Sequence, residues 1–173
     1  MISQALSILA VLSVLAGLPV YAADIYLVRH AEKELDDSKD PGLTQEGALR
    51  AANLAVLLKS AGIERVFSTD YARTRKTAEP TARTASATIE IYDPDALEVV
   101  ARDLLTLDRN ALVVGHSNTT SQLVDLMGGD GGSPIVEEWE YDRVYLVQTD
   151  AGRVTRTILL HLPPSKVPAD SGN

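Results

Sequence analysis

Four short apolar runs, each followed by a segment whose apolar residues recur three and four positions apart, constrain the fold of this chain more than any other feature. The first run, Ile25-Tyr26-Leu27-Val28, lies in a predicted strand over 24–29. A loop rich in Asp and Lys follows, closed by Pro41-Gly42. Beyond it Ala51, Leu54, Ala55 and Leu58 fall at i, i+3, i+4 and i+7, one face of a helix that Thr44 is suited to cap and Gly62 to stop. Further strands are expected at 65–68, 88–92 and 111–115. The intervening helices run from an Asp70 cap toward Arg83, over 95–107, and from a Ser117 cap to Gly128-Gly129. Strand alternating with helix in this way implies parallel strands joined by crossover helices, so both faces of the sheet are covered. Two late strands, 143–148 and 153–160, flank Thr149-Asp150-Ala151-Gly152 and read as a hairpin. The expected fold is therefore α/β, a three-layer sandwich whose mainly parallel sheet carries an antiparallel hairpin at one edge.

With 173 residues, 45% apolar and 23% charged, the chain suits one globular domain. Its net charge of −8 argues against a nucleic-acid partner, which would need a surplus of Lys and Arg along one surface. The absence of cysteine excludes disulfides, thiolate metal sites and a cysteine nucleophile. Residues 1–22 carry no charge and are mostly apolar, and Pro19 precedes small residues suited to cleavage after Ala22. We expect a signal peptide over 1–22, a folded domain over 23–162 and a disordered Pro-rich tail over 163–173. The folded part is then periplasmic or secreted, and a membrane is a partner only if the first segment stays uncleaved as an anchor.

In an open parallel sheet ligands bind beyond the carboxyl ends of the strands. Those ends carry Arg29-His30, then Ser68-Thr69-Asp70 with Arg73, then Gly115-His116-Ser117-Asn118. Two arginines and two of three histidines thus converge on one edge. Guanidinium forks grip phosphoryl oxygens in pairs, and a neutral imidazole near pKa 6.5 can attack phosphorus, so either His30 or His116 qualifies as a nucleophile.

The stretch Leu27-Val28-Arg29-His30-Ala31-Glu32-Lys33 resembles the Arg-His motif that opens the histidine phosphatase superfamily, the relatives of phosphoglycerate mutase. Phe67 to Thr74 with Thr77-Ala78 resembles the family's second segment, and Val114 to Asn118 its third. The resemblance implies a phosphohistidine on His30, with Arg29, Arg73 and His116 lining the phosphate pocket, and neither cofactor nor metal. Ser117 and Lys33 are added as substrate contacts. The Arg-His-Ala-Glu-Lys form is closer to small phosphatases than to mutases, and the domain has little room for a capping insertion. Relatives with Asp directly after the second histidine use it as the acid; Ser117 stands there here. Glu98 is taken as the acid, with Asp93, Asp95 and Glu32 as alternatives.

The implied function is hydrolysis of small phosphorylated substrates. Dephosphorylation of phosphohistidine on a protein, or silent binding of a phosphorylated ligand at the cell envelope, are the rivals. His161 is read as structural; Trp139 and Tyr141 are read as part of the pocket rim or as cover for the sheet, with burial the favoured role. Gly128 to Gly132 is read as a connector, and the oligomeric state is not legible.

Overall fold

The computed structural model describes residues 22–165. Residues 1–21 of the expected signal peptide over 1–22 and residues 166–173 of the expected tail over 163–173 lie outside that range. A six-stranded sheet runs in the order β3-β2-β4-β1-β5-β6, where β1 is Ala22–Arg29, β2 Ile63–Ser68, β3 Ile89–Ile91, β4 Asn110–Gly115, β5 Arg143–Asp150 and β6 Arg153–His161. The first four strands are mutually parallel, and β5 and β6 are antiparallel additions at one side. Helices α1 (Gln45–Leu57), α2 (Ala72–Ala85), α3 (Leu97–Leu105) and α4 (Thr120–Leu126) complete the sandwich.

Alternation along the central strands feeds two cores. Ile25, Leu27, Ala111 and Val113 pack against Leu97, Ala101 and Leu104 of α3 and Leu123 and Val124 of α4. Val28, Leu112 and Val114 face Leu54 of α1 and Ala78 and Ala82 of α2. Each wholly buried Val or Leu contributes about 1.5–3 kcal/mol, so β1 and β4 form the most strongly held part of the sheet. The close approach of α1 to the first loop requires Gly47, since a Cβ there would collide with the Glu32 carbonyl. The hairpin turn has Ala151 and Gly152 at positive φ, as a tight two-residue turn demands.

The helix starts differ from expectation in two places. Thr44 caps α1, accepting from the Gly47 N–H at 3.0 Å. Asp70 does not cap α2; its carboxylate pairs with Arg75, and Asp40 of the first loop instead accepts the Ala72 N–H at 2.9 Å. Ser117 does not cap α4, because two further residues intervene and Thr119 occupies the cap position. At the other end, Ser165 is 2% exposed, with its hydroxyl 3.5 Å from Asn53, so the chain stays against α1 at least that far into the stretch expected to be disordered.

Candidate active site

The parallel register brings the predicted strand ends level: Arg29 pairs with Gly115, Ser68 with Val114, and the His30 N–H donates to the Gly115 carbonyl at 2.9 Å. A cavity of about 260 Å³ opens on this edge, lined among others by His30, Lys33, Arg73, His116, Ser117 and Glu137. The imidazoles of His30 and His116 stand edge to face with centroids 5.5 Å apart. Five of the seven residues singled out from sequence therefore meet in one place; Arg29 stands behind it and Glu98 lies outside.

His30 is 3% exposed, and its Nδ1 lies 2.7 Å from the Ala31 carbonyl. A carbonyl oxygen only accepts, so Nδ1 carries the hydrogen and Nε2 keeps its lone pair. Burial first, and then the charges of Arg29 and Arg73 with His116 beside them, push its pKa down to about 3 against the opposing pull of the Ala31 carbonyl. Burial and the charges of Arg73, Arg29 and Lys33 lower His116 to about 4. Both rings are neutral near pH 7. His116 Nε2 is 2.9 Å from the Thr69 hydroxyl, and its Nδ1 is 3.4 Å from Nη2 of Arg73.

The two arginines are used differently. Arg73 lines the cavity and lies 4.5 Å over the Tyr71 ring. Arg29 reaches across to a loop and donates to the carbonyls of Val136, Glu137 and Glu140 at 2.8–3.3 Å, with Tyr141 stacked 4.0 Å beneath. Nε of Arg29 and Nε of Arg73 are both buried without an acceptor in the protein. The charges of both guanidinium groups act on His30, and an anion in the cavity is the group that would offset them.

The acid candidates differ in where they stand relative to the cavity. Glu98, the second residue of α3, is exposed and does not line the cavity. Glu32 is committed to Arg50, which meets its two oxygens at 2.5–2.9 Å. Asp93 donates no side chain to the cavity and accepts the Asp95 N–H instead. Asp95 does line it, beside Pro94.

Several contributors had no sequence signal of their own. Glu137 lies in the 128–142 loop, where Lys33 meets it at 3.8 Å. Arg143, 8% exposed, holds that loop by donating to the Glu140 carboxylate at 2.6 Å and the Ser133 carbonyl at 2.6 Å. Of the two aromatics, Trp139 is 71% exposed rather than buried as cover for the sheet, and Tyr141 stacks on Arg29 with its ring 6.1 Å from that of His30. His161 ends β6 on the catalytic edge of the sheet, not away from it, but two strands out and paired with Asp142 at 2.8 Å. Among the described residues no three His, Asp or Glu side chains gather as a metal site.

Comparison with known proteins agrees with this geometry. The model of the histidine phosphatase superfamily (branch 1) matches residues 25–104. A probable phosphoglycerate mutase, GpmB, of Escherichia fergusonii is 34% identical over 107 residues, covering 58% of this chain and 49% of that protein; its counterpart in Escherichia coli O1:K1 matches equally. The matched stretch thus spans about half the length of these curated relatives. Among solved structures, the protein histidine phosphatase SixA complexed with tungstate superposes with a TM-score of 0.65 at 19% identity, covering 80% of this chain and 96% of that one. A mycobacterial glucosyl-3-phosphoglycerate phosphatase gives 0.57 at 13% identity, covering 81% and 98%. The fold is that of these phosphoglycerate mutase-like proteins, and with the Arg-His strand end, the second arginine and the second histidine all on one edge, the chain is similar to the histidine phosphatase superfamily over the matched residues 25–104.

Proposed function

We propose that this protein is a metal-independent phosphatase that hydrolyses phosphomonoesters through a phosphohistidine on His30. The observation that carries the reading is the His30 ring itself: its Nδ1–H is held by the Ala31 carbonyl, so the lone pair of Nε2 is available in a cavity shared with Arg73 and His116. In the first step a bond forms between Nε2 and phosphorus while the bond to the leaving oxygen breaks. Asp95, on the cavity wall, supplies the proton that oxygen takes. Water then attacks phosphorus as the N–P bond breaks, its electron pair returning to Nε2. A proton of the water passes to the Asp95 carboxylate; this releases inorganic phosphate and restores both the neutral ring and the acid. Arg73, with the buried charge of Arg29, stabilises the equatorial oxygens throughout, and His116 lines the same cavity.

The cavity is small and opens directly on the sheet edge, which suits small substrates or phosphoryl groups that project from a surface. A second reading, dephosphorylation of phosphohistidine on a protein, is favoured by one specific likeness: the chain covers 96% of the SixA structure, a protein histidine phosphatase. The uncharged apolar segment before β1 supports export, which cell fractionation tests.

The protein should hydrolyse p-nitrophenyl phosphate in EDTA, and His30→Ala should lower kcat by about 10³-fold or more. Radioactive phosphate should be trapped as an acid-labile, base-stable adduct on the wild type alone. Activity persisting in His30→Ala would refute the assignment, and phosphate binding with no turnover or adduct would leave a silent binding protein.

A further inference from the structure

Thr69 ends in a hydroxyl chain whose hydrogens can be assigned in only one direction. It is fully buried just beyond β2, 2.9 Å from His116 Nε2 and 3.0 Å from the Thr74 hydroxyl. The Thr74 oxygen in turn lies 3.0 Å from the Thr69 carbonyl and 2.9 Å from the Tyr71 carbonyl. Carbonyls only accept, so the single Thr74 hydrogen points to them. Thr74 must then accept from Thr69. With its own hydrogen spent, Thr69 must accept from His116, whose Nε2 therefore carries the proton.

The opposite side of the ring gives the same answer independently. Nη2 of Arg73 lies 3.4 Å from Nδ1 of His116, and a guanidinium only donates, so Nδ1 is bare. We propose that Thr69 and Thr74 form a relay that holds His116 in its Nε2–H tautomer, with Nδ1 beside Arg73 as a proton acceptor, and that the site in consequence takes a phosphoryl group together with one proton, as the monoanion. The proposal rests on the phosphate-binding reading above but not on turnover.

The reason is charge matching. A bare nitrogen facing a fully ionised phosphoryl oxygen sets lone pair against lone pair, whereas a singly protonated group donates its O–H to Nδ1. Whether that hydrogen sits on oxygen or nitrogen, the complex holds one proton more than neutral protein plus dianion. The groups that face His116 do not supply it beforehand: Arg73 from α2, Arg29 from β1 and Lys33 from the following loop, together with burial, keep the free ring neutral, with the rings of Tyr71 and His30 at 5.1 and 5.5 Å. Asp95 and Glu137 are the carboxyls of the same cavity. Phosphomonoesters lose their second proton near pH 6, so kcat/KM should fall about tenfold per pH unit well above that.

Nitrogen NMR of the three histidines reads the tautomer directly, and calorimetry with inorganic phosphate at pH 8, in two buffers of different ionisation enthalpy, counts protons. The wild type should show His116 protonated on Nε2 only and take up close to one proton per phosphate. In Thr69→Val the tautomer preference and the proton uptake should both fall, with phosphate bound roughly three- to tenfold more weakly, the worth of one net hydrogen bond. Thr69→Ser should restore all three. A wild-type His116 protonated on Nδ1, phosphate binding without proton uptake, or a Thr69→Val protein unchanged in tautomer and uptake would overturn the relay. The wild-type measurements decide even if the variant does not fold. Normal uptake with no phosphatase activity would refute the catalytic reading alone.

Discussion

The floor of the cavity rests on strand ends and buried side chains, whereas its mouth is carried on two loops. Arg29 and His30 are each 3% exposed and are bound into the backbone of their surroundings, but the side chains of Lys33 and Glu137 are 28% and 66% exposed and meet only each other, at 3.8 Å. The floor has the geometry that phosphoryl chemistry requires before any ligand arrives. The mouth is a separable layer, with Asp95, Glu137 and Lys33 in its lining. Chemistry and selectivity are therefore held by elements of very different rigidity.

The sharpest way to break that division is within the floor itself. Arg73→Lys should lower kcat/KM on p-nitrophenyl phosphate by about 10²-fold or more while leaving the urea midpoint nearly unchanged, because lysine keeps charge but loses the fork. Arg29→Lys should reduce activity and also cost about 1–3 kcal/mol of stability, since one ammonium cannot replace the donors to three carbonyls of the far loop. Equal stability losses in the two variants would erase the distinction between them.

At the boundary between the layers, Asp95→Asn should lower kcat/KM by roughly 10²-fold for alkyl phosphates and by only a few-fold for p-nitrophenyl phosphate, whose leaving group needs no acid. A uniform loss across both would move Asp95 from proton donor to mere contact.

The buried rings also leave a mark on pH dependence. Both have pKa values below their ordinary 6.5 in the folded protein, about 3 for His30 and about 4 for His116. An unfolded chain takes up protons below 6.5 that the folded chain refuses. Their contribution is thus complete above pH 6.5 and is lost as pH falls toward 4 and then 3. Urea midpoints at pH 7.5 and 5 should differ less in His30→Asn than in the wild type; equal differences would mean that the ring is not held neutral. The smallest effect belongs to the mouth. Lys33→Ala should shift stability by no more than about 0.5 kcal/mol and raise KM modestly, an increase that disappears at high salt.

The same division decides what could be read before any coordinates. The sheet, its hairpin and the convergence of His30, Arg73 and His116 follow from apolar periodicity and from the rule that parallel strands share an edge. Local signals failed where a distant partner won. Asp70 had the composition of a cap, yet Asp40, thirty residues earlier, took the Ala72 N–H. Glu98 had a fair sequence position for the acid, but it falls on α3 outside the cavity, whereas Asp95 in the preceding loop lines it. Glu137 and Tyr141 sit in a stretch with no period at all, shaped by Arg29 and Arg143 from the sheet. Loop shape of that kind is set by tertiary hydrogen bonds that no local pattern encodes.

The Asp40 contact with Ala72 bears on how this scaffold could be remodelled. The helix that presents Arg73 has its first free amide satisfied from the loop after β1, not from its own flank. A designer who exchanged 33–43 for a longer lid would thus unfasten the start of α2 by about 1 kcal/mol unless the graft returned a carboxylate to that spot. The segment most open to change in pursuit of new substrates is, through one side chain, also a tether on the anion clamp.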